Sequence, residues 1–140
     1  MHREHLAAAA AAARRSNGAA AERLAARFLE SRGLALLARN YRCRLGELDI
    51  VCGDGGVLVV VEVRQRSGTA FGGALASVTA AKRRRIERAT TLFLLRTRRW
   101  RDAPVRFDVI AIEGPPDESA RILWLKDAFR CGEDRRRSAR

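Results

Sequence analysis

Histidine is almost missing from this chain: His2 and His5 are the only two in 140 residues. Both stand in the N-terminal stretch, so a histidine-based catalytic centre in the body of the chain is excluded. The cysteines, Cys43, Cys52 and Cys131, are odd in number and form no CxxC pair. That disfavours a disulfide framework and a zinc site, and makes a reducing cytoplasm the expected compartment. No apolar run approaches the ~20 residues of a membrane span. The alanines from Ala7 to Ala13 are too weakly apolar for a signal sequence, and Arg14 and Arg15 follow them rather than precede them. Aromatics are only 6% of the chain, which disfavours single-strand recognition by base stacking. Trp100 and Trp124 are expected in the core.

What is abundant is arginine. The net charge is +12 and the pI near 11.4, although Lys82 and Lys126 are the only lysines. Such a balance favours a polyanionic partner, because basic side chains on phosphates release condensed counterions. A GC-rich genome produces the same Arg/Ala bias without any such partner, so charge alone leaves both readings open. The hydrophobic fraction of 47% and the length fit one domain with its own core.

The pattern divides into a flexible, partly helical tail at 1–15, a domain at 16–130 and a flexible basic tail at 131–140. A helix is predicted over 16–32, capped by Ser16 or Asn17, with Ala21, Leu24, Ala25, Phe28 and Leu29 at helical spacing and Gly33 ending it. Strands are predicted at 34–42, 46–53 and 57–64, the last two joined by a hairpin at Gly53-Asp54-Gly55-Gly56. In the second strand Leu48 and Ile50 are expected on one face, and Glu47, Asp49 and Val51 on the other. A Gly/Ser loop covers 65–78. A second helix covers 79–100 from Thr79, and Lys82, Arg83, Arg84, Arg85 and Arg88 crowd its first half. A strand at 105–112, a turn at 114–118, a short strand at 121–125 and a turn over Asp127 to Phe129 complete the chain. The fold class is α/β: a mixed sheet in the order helix, three strands, helix, one or two strands, with parallel strands flanking the second helix.

Glu62 interrupts the run Val57-Leu58-Val59-Val60-Val61. A carboxylate in so apolar a strand is costly to bury unless something pairs with it. With Gly55-Gly56 as a two-residue loop, Asp54 faces Val57, Ile50 faces Val61, Asp49 faces Glu62 and Glu47 faces Arg64. Opposed residues share a face with Cβ atoms about 4.5–5.5 Å apart. Two carboxylates held so close repel, and a hard divalent cation with oxygen ligands, Mg²⁺ or Mn²⁺, relieves the repulsion. Asp49 and Glu62 would hold it, Arg64 would stabilise charge on a phosphate, and Glu47 would orient Arg64 or support the site. The plainer alternative is a solvated sheet face with surface ion pairs worth ~0–1 kcal/mol.

At these residues a resemblance emerges. Gly46-Glu47-Leu48-Asp49-Ile50-Val51, then Val61-Glu62-Val63-Arg64-Gln65-Arg66-Ser67, then Phe71-Gly72, Val78 and Lys82, resemble the bacterial YraN family. That family is related to Holliday-junction resolvases of the restriction-endonuclease-like, PD-(D/E)xK class. Arg106-Phe107-Asp108-Val109-Ile110 and Asp127-Ala128-Phe129 also resemble its later motifs, so the match runs from about Gly18 to Phe129. The resemblance implies a restriction-endonuclease-like core. It gives Asp49 the place of the motif's Asp, Glu62 its acidic residue and Arg64 its Lys. Glu22 would be a helix carboxylate brought to the metal; an ordinary exposed helix charge is the alternative. The motif Lys is replaced by Arg64, which stays protonated and cannot easily act as a base. The Pro that precedes the first Asp of the motif is absent.

Arg66, Ser67, Lys82 and Arg83 are the expected nucleic-acid contacts, Arg66 and Lys82 by the resemblance. The expectation is therefore a Mg²⁺- or Mn²⁺-dependent endonuclease on structured or branched DNA, with a homodimer by analogy to resolvases and no membrane partner. The alternatives are a nuclease-fold module that binds nucleic acid with weak or lost catalysis, and a protein-interaction domain whose basicity reflects genome composition.

Overall fold

The computed structural model describes residues 2–66 and 71–130, apart from the side chains at 2, 14–17, 71 and 72. Its elements are α1 (His2–Ser31), β1 (Ala35–Cys43), β2 (Gly46–Asp54), β3 (Val57–Arg66), α2 (Phe71–Ala76), α3 (Ala80–Arg96), a 3₁₀ turn (Arg98–Trp100), β4 (Val105–Glu113) and β5 (Arg121–Phe129). The five strands lie side by side in chain order. Only β3 and β4 run parallel; every other neighbouring pair is antiparallel. The expected α/β class, mixed sheet and parallel step around the second long helix are all present.

The sheet separates two apolar layers because its central strand is buried on both faces. From β3, Val59, Val61 and Val63 meet α1 through Ala21, Ala25 and Leu29. On the other face Leu58 and Val60 meet α3 through Ile86, Ala89 and Phe93. Full burial of each such Val, Leu or Phe contributes about 1.5–3 kcal/mol. Small residues on α1 let that helix lie close to the strands.

Capping sets the helix ends. Gly33, at φ 91°, closes α1: Leu34 N–H donates to the Leu29 carbonyl and Gly33 N–H to that of Glu30. Thr79 caps α3, its Oγ1 accepting from Lys82 N–H at 3.3 Å.

Several boundaries differ from the sequence expectation. α1 starts at His2, not at residue 16, because the Ala7–Ala13 run has the best intrinsic helix propensity and carries the helix through Ser16 and Asn17. α2 stands where a loop was expected; buried Ala74 and Val78 anchor that segment to the core under α3. α3 stops at Arg96 rather than 100, and a 3₁₀ turn follows. β5 runs on to Phe129 instead of turning at Asp127. An irregularity opposite Phe107 to Val109 absorbs Asp127, which sits at φ 51°. The C-terminal segment 131–140 lies outside the described residues.

Two close approaches fix β2 against α3 and the 3₁₀ turn after it. A Cβ on Gly46 would come 2.9 Å from the Arg85 carbonyl oxygen, and one on Gly53 would come 2.7 Å from Trp100 Cη2. Only glycine allows both approaches.

Candidate metal centre

The hairpin register is the one the Gly55-Gly56 turn implies: Asp54 pairs with Val57 and Ile50 with Val61. There the β2–β3 ladder ends. Beyond it the Asp49 carboxylate takes over the bonding, Oδ2 accepting from Val63 N–H at 2.9 Å. The strands fork at this point, and the simple alternation expected along β2 fails with them. Leu48 joins the core under α3, whereas Ile50 joins the core under α1.

The fork lets acids from three elements converge on Asp49. Glu22 from α1 and Glu47 from the start of β2 each place a carboxylate oxygen within 4.8 Å of Asp49 and of each other. Glu62, only 4% exposed, lies outside that trio and close enough to Asp49 to feel its charge. Its Oε1 has no hydrogen-bond partner among the described residues. Burial first, then the Asp49 charge, push the Glu62 carboxyl well above its ordinary range, against the opposing pull of Arg64. Glu22 is pushed up to about 7 by burial first, then by Asp49 and Glu47. These acids carry more negative charge than their surroundings neutralise.

Arg64 spans the pair. Its Nη1 lies 3.8 Å from Asp49 Oδ2 and its Nη2 3.6 Å from Glu62 Oε2, ion-pair distances too long for hydrogen bonds. Its one direct bond goes from Nη1 to the Val63 carbonyl at 3.2 Å. Glu47 does not face Arg64 as expected. The fork turns it toward β1, where it pairs in register with Arg42 at 3.7 Å.

Glu47, Asp49, Glu62 and Arg64 line a cleft of about 270 Å³, closed on its far side by Lys82, Arg85 and Ile86 of α3. Of the expected nucleic-acid contacts, Lys82 is therefore at the acids. Arg66 donates from Nη2 to the Gly73 carbonyl, which ties β3 to α2. Arg83 turns away; its Nε donates to the Val78 carbonyl and its guanidinium lies 5.0 Å from the Phe129 ring centre. Ser67 lies outside the described residues. Arg85 was not among the expected contacts, although its spacing of three from Lys82 puts both on one side of the helix.

A second buried acid was also missed. Asp108 on β4 is 0% exposed and accepts four hydrogen bonds: from Arg106 Nε (2.9 Å) and Nη2 (3.0 Å), Trp124 Nε1 (2.9 Å) and Asp127 N–H (2.9 Å). The signal was an acid among apolar neighbours, the same one that singled out Glu62.

A five-stranded mixed sheet between helices, forked so that three carboxylates converge and a fourth, Glu62, lines the cleft beside a basic helix, defines an α/β protein with a nuclease-like core. The model of the family described as "Uncharacterised protein family UPF0102" matches residues 21–112. Among relatives, a UPF0102 protein of Legionella pneumophila (strain Philadelphia 1) is 48% identical over 115 residues, 82% of this chain and 95% of its own. One from Pseudomonas putida (strain W619) is 47% identical over 114 residues, 81% of this chain and 93% of its own. This chain belongs to the UPF0102 family, the YraN family whose motifs its sequence resembles. Among the described residues, no helix is long and apolar enough to cross a membrane.

Proposed function

We propose that this protein is a metal-dependent endonuclease that hydrolyses phosphodiesters in structured or branched DNA. The observation that carries the reading is Glu62: a buried carboxylate with one oxygen unpartnered among the described residues, beside the Asp49 charge and lining a cleft with a basic wall. Native proteins rarely leave such a group without a purpose.

A divalent cation fits the donors. All are hard carboxylate oxygens, one is unpartnered, and burial first, then the neighbouring acids, raise the proton affinity of two of them. Asp49, with Glu62, Glu22 and Glu47 near it, would hold Mg²⁺ or Mn²⁺. When bound, the cation supplies Lewis acidity to a phosphoryl oxygen and acidifies water. The chain's own groups do the rest. Arg64, always protonated, stabilises negative charge growing on the phosphate. Lys82 and Arg85 hold the incoming phosphate against the acids. Glu22, raised to about 7, can accept a proton near neutral pH, and Glu62 holds one more tightly than an ordinary carboxyl does.

The test is cleavage of junction, flap and linear DNA with Mg²⁺ or Mn²⁺ by the wild type and by Glu62→Ala. Cutting of a branched substrate by the wild type alone supports the reading. Equal cutting by both proteins points to a contaminant and sinks it.

One observation favours a second reading. The Arg64 guanidinium already lies between Asp49 and Glu62 and can neutralise them without a metal. A nuclease-fold module that binds nucleic acid but does not cut it would do this. Binding that ignores Mg²⁺ and survives Asp49→Asn would establish that alternative. The homodimer is a proposal by analogy with resolvases, checked by the mass of the complex on a two-fold junction.

A further inference from the structure

The basic wall of the cleft does not end at the cleft. Between residues 80 and 103 the chain carries nine basic residues against two acids, Glu87 and Asp102. Lys82, Arg85, Arg88 and Arg96 fall within about 120° of arc on α3, on one side of the helix. Past its end the 3₁₀ turn adds Arg98, Arg99 and Arg101, all exposed. No acid pairs with Arg88, Arg98, Arg99 or Arg101 among the described residues, whereas Arg42, Arg64, Arg106 and Arg130 all have ion pairs. Glu87 and Asp102 offset only two of the nine, and the segment keeps its positive charge.

Trp100 shows what kind of ligand fits. A free indole beside arginines would offer bases a stacking surface. Here the ring is committed: it presses on Gly53 closely enough that a Cβ there would clash, and Arg99 lies 5.7 Å from its centre. Half-buried by these contacts, the ring anchors the turn on which the exposed guanidinium groups stand. Such a surface reads phosphates.

We propose that the Lys82–Arg101 ridge is a track for one duplex arm of the substrate, gripped by its phosphates far from the acids by Arg98, Arg99 and Arg101. The proposal rests on the nuclease reading for the position of the scissile phosphate. From Lys82 to Arg98 the helix rises about 24 Å, the length of about seven base pairs. The ridge therefore requires an arm at least that long.

The test is binding without divalent cation, by fluorescence anisotropy across a salt series. The DNA junctions carry arms of about fifteen or about five base pairs, the shorter falling within the span of the ridge. Removing one arginine from a phosphate lowers the salt slope by about 0.9. For R98A/R99A/R101A on long arms, the slope becomes shallower by about two to three and affinity falls about tenfold or more. On short arms the variant binds like the wild type. R98K/R99K/R101K keeps the slope, since it keeps the charge. R27A/R121A, which removes exposed arginines on α1 and β5, leaves the slope unchanged.

Equal slopes for wild type and R98A/R99A/R101A on long arms overturn the track. So does an equally large fall from R27A/R121A, which would mean general attraction by net charge. A fall confined to an RNA duplex of the same length overturns the assignment to DNA. The two proposals fail separately. A wild type that binds as described but cuts nothing with Mg²⁺ keeps the track and removes the nuclease. One that cuts while R98A/R99A/R101A binds long arms undiminished does the reverse.

Discussion

Two buried acids stand on adjacent parallel strands, and they have opposite surroundings. Asp108 accepts four hydrogen bonds from three residues, one of them the Arg106 guanidinium. Its carboxylate in turn raises the Arg106 pKa, chiefly through their hydrogen bonds. Glu62 has an unpartnered oxygen, an acidic neighbour and an arginine too distant for a hydrogen bond. Burial is nearly the same, so burial does not separate the roles. Satisfaction does. An acid whose lone pairs are all used holds the fold together, whereas one left under-supplied is open to a ligand.

The sharpest way to break this contrast is Asp108→Ala. It strands Arg106, the Trp124 indole N–H and the Asp127 amide, and should cost about 3–5 kcal/mol in urea unfolding. A loss below about 1 kcal/mol would mean the four bonds hold nothing together. Next comes Glu62→Gln, which should reduce Mg²⁺-dependent cleavage at least about 100-fold, equivalent to about 2.7 kcal/mol, while the metal-free protein unfolds at the same or higher denaturant. If Glu62→Gln destabilised the protein as Asp108→Ala does, the two acids would be alike and the contrast void.

A smaller effect comes from pH. Glu22, at about 7, and Glu62, well above its usual range, are acids whose protonated form the fold favours. The folded state therefore binds more protons than the unfolded chain between about 4.5 and 7, and stability falls as pH rises through that window. Metal-free thermal melts from pH 5 to 8 should show this loss, and added Mg²⁺ should reverse it. Melts independent of pH would show that the cluster is not short of positive charge. Least of all should change with Arg42→Ala, which removes an exposed ion pair with Glu47 and should shift stability by less than about 0.5 kcal/mol.

How much of this could be read from the residues depended on range. Turn chemistry is local, so Gly55-Gly56 gave the hairpin register directly as far as Ile50 and Val61. The fork is not local. It depends on the Asp49 side chain replacing a backbone partner at Val63, and alternation has no way to show that. Hence Glu47 was assigned to Arg64 but lies with Arg42. Asp108 could have been recognised as a buried acid, but its donors lie on the same strand and on β5, and only the tertiary fold brings Trp124 and Asp127 to it. Arg83 and Arg85 needed only the helical period. One reaches back to Phe129 and the other forward to the cleft.

The glycines at either end of β2 have a mechanical consequence. Gly46 lies under the Arg85 carbonyl and Gly53 under the Trp100 ring, so the strand that carries Asp49 is held at one end by α3 and at the other by the 3₁₀ turn that follows it. Hairpin and helix can only travel as one piece. The gap between the acids and the arginines is therefore set at folding, and whatever the cleft accepts must suit a preformed width.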